Sequence, residues 1–457
     1  MCEHGIALFS VINLKVISEK LTYRKIFIFW VPLALTWLLM AFEQPFLITF
    51  IARLSDVKYN LAAFGIAGSF AMVVESPIIM LLSASTALVT GRNSFRKLKR
   101  FTDILNISIT SIHIIMLIPA VFNFIVLDLM GVPGEIAKLA YVSLIIFLPW
   151  AASIGYRRFY QGLLIRSGLT RMVTYGTLVR FTVIVITGLI LYFAGANGAY
   201  VGAAAMSLAV LCEAIATRFM VSRTLEKVLS RDDVENEGLT VIQIAKFYSP
   251  LATTSILSMG IQPFVTFFLS RSYMAVESLA IMPVLNSLVF IFRSVGLSFQ
   301  EVNIALIGKE KQNYIILRDF AFNLGLIITV LMAVLAFSPL ANLWFINVSG
   351  LPLELADLSY LPLRIMILLP AMTVLINFQR SSLIVNGTTA PISTSTAIEL
   401  IVILSVLFMG ITVLNLVGAV AASLAYVAGR GLSILYMVPK HASAVGGWKV
   451  KERGERV

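Results

Sequence analysis

LTYRKIFIFWVPLALTWLLMAFEQPFLITFIARL, the stretch at residues 21–54, returns in altered form as LTVIQIAKFYSPLATTSILSMGIQPFVTFFLSRS at residues 239–272. The two copies align without a gap at an offset of 218, and 14 of the 34 positions are identical. Two shorter echoes pair residues 201–209 with 417–425 at offset 216, and residues 159–170 with 378–389 at offset 219. The chain is therefore predicted to contain two repeats of one architecture.

The composition is that of a membrane protein. Hydrophobic residues make up 59% of the chain, charged residues only 13%, and the mean hydropathy is +0.93. A soluble chain of 457 residues needs more charge to cover its surface. Twelve apolar spans of about 20 residues are predicted, and they fall at 23–51, 60–89, 102–128, 137–156, 171–194, 198–222, 240–270, 277–307, 314–343, 357–378, 391–413 and 416–438. The sequence predicts an all-α polytopic membrane protein.

Six spans per half give both repeats the same orientation, so they are expected to form two parallel-repeat six-helix bundles. The domains are predicted as first bundle 21–229, cytoplasmic linker 230–238 and second bundle 239–440, with a basic cytoplasmic tail 441–457. The N-terminal segment 1–20 is either an interfacial helix or the product of a wrongly assigned start.

Basic residues set the predicted orientation. Of the 35 Lys and Arg residues, 26 fall on the side of the N-terminus, Arg157, Arg158 and Arg380 among them, against four on the other side. By the positive-inside rule both termini are cytoplasmic, and the protein is expected in the cell (plasma or inner) membrane, in contact with its lipids. The net charge of +12 then reflects topology, and no nucleic-acid partner is predicted.

The repeated Gln-Pro-Phe predicts two matched helix kinks. Proline inside a helix removes one backbone hydrogen bond and frees a carbonyl. Pro45 and Pro263 are expected to kink the first helix of each half, beside Gln44 and Gln262. Glu43 has no acidic counterpart, and is either a site for a coupling H⁺ or Na⁺ or a carboxylate that reaches the outer interface.

Ionisable side chains deep in the membrane are costly, which makes them candidates for function. At offset 218 Glu75 corresponds to Arg293, and at offset 219 Arg180 corresponds to Glu399. Equivalent positions carry opposite charges, so we expect Glu75 to pair with Arg293 and Arg180 with Glu399 across a pseudo-twofold axis. Each pair is either a structural bridge between bundles or a bridge that breaks and re-forms during transport.

Two further positions belong to this set. Glu213 corresponds at offset 216 to Gly429, the neighbour of Arg430. Arg364 is either an anion-binding group at a cavity mouth or an interfacial anchor. The predicted substrate or ion site in a central cavity consists of Glu43, Gln44, Glu75, Arg180, Gln262, Arg293, Arg364 and Glu399.

No enzyme signature is present. The sequence has no phosphate-binding glycine loop with a lysine, no His or Cys cluster and no serine nucleophile elbow. We therefore predict a monomeric non-enzyme without metal site or cofactor, apart from H⁺ or Na⁺ as coupling ion.

The six-plus-six layout, the matched proline-containing first helices and the basic loop after the second helix resemble the multidrug/oligosaccharidyl-lipid/polysaccharide (MOP) exporter superfamily, which includes the MATE transporters. Shorter fragments resemble its progressive ankylosis family, namely Pro32-Leu33, Glu43-Gln44, residues 263–271, residues 362–365 and Pro370.

These resemblances imply different substrates. A MATE transporter implies cation- or proton-coupled drug export through an acidic site such as Glu43 or Glu75, although the aspartate that many MATE proteins carry deep in the first helix is absent here. The progressive ankylosis family implies export of small anions such as pyrophosphate, nucleotides or organic acids, which Arg180, Arg293 and Arg364 suit.

The sequence thus favours a secondary active exporter of a small polar, anionic or amphipathic solute, working by alternating access of the two bundles around a central cavity and coupled to H⁺ or Na⁺. A flippase for a lipid-linked diphosphate is the alternative, although flippases of the superfamily often have two further helices. A membrane enzyme acting on lipids is a third class.

Overall fold

The structure is a computed structural model that describes residues 21–167, 169–230, 240–307, 311–386, 388 and 390–454. In these ranges the chain is helical almost throughout, and the only β pairing is an isolated bridge between Tyr273 and Val417. The predicted all-α class is confirmed. The predicted segment 1–20 and nearly all of the predicted linker lie outside the described residues.

The first repeat forms helices α1 to α11, with a π-helix, π1, after α6. Their bounds are α1 Tyr23–Ala41, α2 Glu43–Ile51, α3 Val57–Glu75, α4 Leu81–Leu88, α5 Arg92–Met116, α6 Pro119–Asn123, π1 Phe124–Leu129, α7 Gly134–Ile146, α8 Leu148–Arg166, α9 Thr170–Phe193, α10 Gly198–Met220 and α11 Ser222–Leu229.

The second repeat follows the same plan. It consists of α12 Val241–Met259, α13 Ile261–Ser270, α14 Ala275–Leu306, α15 Tyr314–Phe337, α16 Leu340–Asn342, π2 Leu343–Val348, α17 Leu353–Ile365, a 3₁₀ turn Met366–Leu368, α18 Leu369–Val385, α19 Ala390–Phe408, π3 Met409–Val413 and α20 Gly418–Gly454. The predicted tail from 441 therefore continues α20 as helix through Gly454.

Eleven helical segments of the described chain are long and apolar enough to cross a membrane. A twelfth is reached when Arg92–Met116 and Pro119–Leu129, which meet at a bend of 70°, are counted as one span. The protein is thus a multi-pass membrane protein, and with the bent pair counted as one span the number of spans in the described chain equals the predicted twelve.

The first span of each repeat is interrupted at the same place. α1 ends at Ala41 before a break at Phe42, and α12 ends at Met259 before a break at Gly260. Each break lies three residues before the Gln-Pro-Phe proline, which cannot donate to the carbonyl four residues earlier. That carbonyl belongs to the last residue of α1 or α12, so the missing donor accounts for the interruption.

The contacts group the chain into two compact units whose first helices are exchanged. The second-half unit contains the described residues up to Phe46, Ser272–Met274 and those from Ile281 onward. The first-half unit contains Leu47–Arg271 and Ala275–Ala280. Most of the first span therefore packs with the second repeat, and the seventh span packs with the first. The predicted domain boundaries at the linker describe the sequence repeats, and they stay a prediction.

Equivalent aromatic residues fix the exchanged helices. In the second-half unit Trp30 donates its indole N–H to Ser298 Oγ at 2.8 Å, and its ring lies 6.2 Å from that of Phe320. In the first-half unit Tyr248 donates to the Pro77 carbonyl, and its ring lies 5.2 Å from that of Phe101. Trp30 and Tyr248 are related by the repeat offset of 218, so one packing scheme serves both units.

The repeated arginine before the second span has a structural function in the first-half unit. Arg271 donates from Nε to the Leu129 carbonyl at 2.7 Å and from Nη2 to the Asp128 carbonyl at 3.0 Å. These carbonyls close π1, where backbone acceptors lack helical partners. A basic side chain at the C-terminal end of a helix also interacts favourably with the negative end of the helix dipole.

Candidate functional site

Buried charges in the first-half unit converge on one carboxylate. Glu213 on α10 is fully buried, and its Oε2 lies 2.6 Å from Arg157 Nη1 and 3.7 Å from Arg180 Nε. Gln161 donates to the other oxygen at 3.2 Å. Three helices, α8, α9 and α10, supply these side chains. We call Glu75, Arg157, Arg158, Arg180 and Glu213 the first-half charge cluster.

Arg158 and Glu75 complete this cluster. The charges that act on Arg158 are those of Arg157, Glu213, Arg180 and Glu75, and its Nε is a buried donor without a hydrogen-bond partner in the described chain. The buried Glu75 carboxylate accepts from the indole N–H of Trp150.

Glu75 occupies an unfavourable position. It is the last residue of α3, and the chain turns through residues 76–80 before α4 begins. A carboxylate at the C-terminus of a helix opposes the helix dipole, and burial adds a further cost. Stability alone does not explain a glutamate here.

The second-half unit contains a comparable cluster of Arg293, Arg380, Glu399 and Arg430, which we call the second-half charge cluster. Arg430 donates to Glu399 Oε1 from Nε at 2.9 Å and from Nη2 at 2.8 Å. Arg293 and Arg380 both experience the charges of Glu399 and Arg430. Arg293 donates to Thr373 Oγ1 at 3.1 Å, and Arg380 donates to Thr396 Oγ1 at 3.2 Å.

The two clusters differ in the balance of charge. The first contains three arginines and two glutamates, and the second contains three arginines and one glutamate. The Nε atoms of Arg157, Arg158 and Arg380 are buried donors without a partner among the described residues. Cations held in a membrane interior without enough acid favour the approach of an anion.

The predicted cross-repeat pairs have other partners inside their own units. Arg180 lies beside Glu213 and Glu399 binds Arg430, whereas the symmetry argument joined Arg180 to Glu399. Glu75 and Arg293 likewise have hydrogen-bond partners inside their own units, Trp150 and Thr373. The four positions are charged and lie at equivalent places in the repeats, but these contacts within each unit do not follow from the offset.

None of the contacts described above involves the remaining predicted site residues. Glu43 and Gln44 begin α2 and are half-buried, as is Gln262 on α13. Arg364 is exposed on α17, and its guanidinium lies 5.3 Å from the centre of the Phe337 ring.

The sequence placed Arg157, Arg158 and Arg380 beyond the ends of their spans, on the cytoplasmic side, whereas each lies within a helix that continues past it. The adjacent arginines at 157 and 158 resemble the end of a span, yet α8 continues to Arg166, so both lie inside a helix. Similarly, α18 continues past Arg380 to Val385. The apolar residues that follow each arginine were the available signal, because a true loop would not return to hydrophobic sequence so soon.

Known proteins show the same arrangement of helices. A sequence model of the MatE family matches residues 32–191. An inward-facing multidrug resistance MATE family transporter of the MOP superfamily superposes with a TM-score of 0.62 at 14% identity, over 97% of this chain and 99% of its own. The Vibrio cholerae MATE transporter VcmN in its bent form gives 0.57 at 15% identity, over 92% and 97%.

The chain has the MATE fold.

The fold is shared with a lipid transporter as well. The lipid II flippase MurJ, in an inward closed conformation, matches this chain with a TM-score of 0.69 at 15% identity, over 90% of this chain and 87% of its own. No curated protein matches the chain in sequence. The predicted resemblance to the MOP superfamily is confirmed at the level of the fold, and the narrower resemblance to the progressive ankylosis family stays a prediction.

Proposed function

We propose that this MATE-type protein is a secondary active transporter that exports an anionic solute. The observation that carries the proposal is the excess of arginine over acid in both charge clusters, whose arginines are all buried or half-buried. A transporter for cationic drugs requires the opposite balance, because its site must offset a positive charge. Phosphate and carboxylate groups fit arginine, whose planar guanidinium donates in pairs.

Alternating access coupled to H⁺ or Na⁺ is the proposed mechanism. Glu75 is the proposed coupling carboxylate, since it is buried at the end of α3 and accepts from the neutral Trp150 indole. Glu43 remains a second candidate. Export, cytoplasmic termini and a monomeric state are part of the proposal and rest on the basic loops and the repeat.

A flippase for a lipid-linked diphosphate is the alternative. The same arginines suit a diphosphate, and the fold is shared with a flippase as well as with exporters. The two functions differ in whether the anion moves alone or with a lipid chain attached.

Counterflow in proteoliposomes tests the proposal. Vesicles with purified protein receive pyrophosphate, ATP, citrate or a cationic dye, with and without H⁺ and Na⁺ gradients, while a labelled polyprenyl diphosphate reports lipid flipping. We expect anion counterflow, and about a tenfold loss in Arg293→Gln and Arg158→Gln, because a charge-assisted hydrogen bond is worth about 1.5–3 kcal/mol. Arg96→Gln, an exposed arginine at the start of α5, is the control and should retain the wild-type rate.

Three outcomes separate the functions. Dye uptake without anion uptake contradicts an anion transporter. Flipping of the labelled lipid without counterflow of any soluble anion selects the flippase. Wild-type rates in both arginine variants would show that the buried arginines have no contact with the substrate.

A further inference from the structure

A groove on the second-half unit lies outside both charge clusters. It has a volume of about 520 Å³ and is open on one side. The end of α15, the short α16 and one face of α17 form its walls. The groove is lined among others by Phe337, Asn342, Asp357, Tyr360 and Arg364.

One face of α17 supplies polar groups of opposite charge. Asp357, Tyr360 and Arg364 are spaced by three and four residues, which places them on the same side of a helix. Tyr360 donates its hydroxyl to Asn342 Oδ1 at 3.0 Å. Arg364 stacks on Phe337, and neither Arg364 nor Asp357 forms an ion pair with any residue of the described chain. The groove thus presents one cation and one anion that remain available.

The surrounding surface is apolar and exposed. Leu361 on α17 is 55% exposed, and Phe337 at the end of α15 is 68% exposed. In a multi-pass membrane protein such a surface contacts acyl chains. Arg364 lies about 16 Å along α17 from its start, but its side chain reaches Phe337, the last residue of α15. The guanidinium is therefore held at the end of a span, where lipid headgroups begin.

The other repeat lacks these charges. At offset 219, Tyr360 and Asn342 correspond to Tyr141 and Asn123, although Tyr141 donates to the Leu117 carbonyl at 3.0 Å. Arg364 corresponds to Ile145, and Asp357 corresponds to Lys138. Since the same helices form in the first repeat without an arginine at this position, the fold does not require Arg364.

We propose that this groove binds the headgroup of a zwitterionic phospholipid with a primary amine. Arg364 binds the phosphate, Asp357 binds the ammonium, and an acyl chain lies against Leu361 and Phe337. An anionic headgroup without an amine leaves Asp357 unpaired, and a quaternary amine cannot donate a hydrogen bond to it. Under the predicted orientation this lipid belongs to the outer leaflet. The site is independent of the proposed substrate.

Lipid binding to the purified, delipidated full chain tests the site. Native mass spectrometry or a thermal-shift titration compares phosphatidylethanolamine, phosphatidylcholine and phosphatidylglycerol, with inorganic phosphate as a probe without acyl chains. We expect phosphatidylethanolamine to bind about tenfold more tightly than the other two lipids. Arg364→Ile, which installs the residue of the first repeat, should weaken its binding about tenfold, because a charge-assisted contact is lost.

Asp357→Asn provides the second, distinguishing variant. It should abolish the preference for phosphatidylethanolamine over phosphatidylglycerol while binding of both persists through Arg364. Arg318→Gln is the matched control, since Arg318 is an exposed arginine at the other end of α15 and pairs with Asp319. Equal binding of all three lipids by wild-type protein, unchanged affinity in Arg364→Ile, or binding of inorganic phosphate alone would overturn the proposal.

Discussion

The ion pair on α9 and α10 and the ion pair on α19 and α20 occupy equivalent helices with the charges reversed. In the first repeat the arginine, Arg180, precedes the glutamate, Glu213; in the second, Glu399 precedes Arg430. The two repeats therefore have an ion pair on equivalent helices, and its direction is reversed between them. The difference lies in the surroundings, since Glu213 also binds Arg157 and Gln161.

Glycine makes the reversal sterically possible. Gly429 occupies the position equivalent to Glu213, and a Cβ there would lie 2.6 Å from Ile403 Cγ1 and 3.0 Å from the Glu399 carbonyl. No side chain fits at that point, so the charge moves to the next residue, Arg430, and its partner moves to α19. Close packing of α19 against α20 thus determines where the second pair lies.

The largest effect is expected from Glu213→Gln, which breaks the first pair and leaves Arg157 and Arg180 without their carboxylate. Removing one member of a buried ion pair costs about 3–5 kcal/mol. We expect a large fall in the thermal stability of the detergent-solubilised protein, measured by fluorescence-detected size exclusion after heating. Glu226→Gln, at an exposed position on α11, should leave the unfolding temperature unchanged. Equal stabilities of the two variants would contradict the central position of Glu213.

A smaller effect is expected in the second pair, and it tests the reversal directly. Glu399→Gln should destabilise the protein by about 3 kcal/mol, because three arginines remain. The exchange Glu399→Arg with Arg430→Glu reproduces the order of the first repeat and should recover at least half of the loss. A double-mutant cycle measures the coupling, expected at about 1–3 kcal/mol. If the doubly exchanged protein is no more stable than Glu399→Arg alone, the direction of the ion pair does matter in the second repeat.

Trp150→Phe sharpens the comparison at Glu75, whose equivalent in the second repeat is the basic residue Arg293 and not an acid. The substitution removes the indole N–H and leaves a buried carboxylate oxygen unsatisfied, at a cost of about 1–3 kcal/mol. Trp344→Phe is a matched control, since the Trp344 indole N–H is buried without a partner in the described chain. Thermal unfolding of both variants should show a loss only at Trp150. A similar loss at Trp344 would assign the effect to ring packing.

The smallest effect concerns the exchanged helices. Arg271→Gln removes donors to the Asp128 and Leu129 carbonyls, and the expected cost is about 1 kcal/mol because Arg271 is exposed. Hydrogen exchange of peptides covering residues 124–132 should rise in this variant. Lys138→Gln, also exposed, should leave their exchange unchanged. Unaltered exchange in Arg271→Gln would show that π1 does not depend on this arginine.

The sequence predicted the fold well because the physics of a bilayer is strict. Twenty apolar residues indicate a span, and a repeated Gln-Pro-Phe predicts where a helix is interrupted. The candidate site was predicted less completely. Arg180, Glu399 and Glu75 were found because buried charge is costly, whereas Arg157 and Arg380 were lost because a basic residue near a span end has an ordinary topological explanation. The pairing of buried charges also depends on the distances between neighbouring helices, and the sequence offset between the repeats carries no information about these distances.

The exchange of first helices has a consequence for synthesis. Trp30 is among the first residues of α1 to leave the ribosome, yet its partner Ser298 follows 268 residues later. At about 5–20 residues per second, α1 waits for roughly 15–50 seconds before that partner exists. The most N-terminal span is therefore among the last to dock. Until then its polar and aromatic face must be shielded by lipid or by the insertion machinery, which makes this helix the vulnerable point of biogenesis.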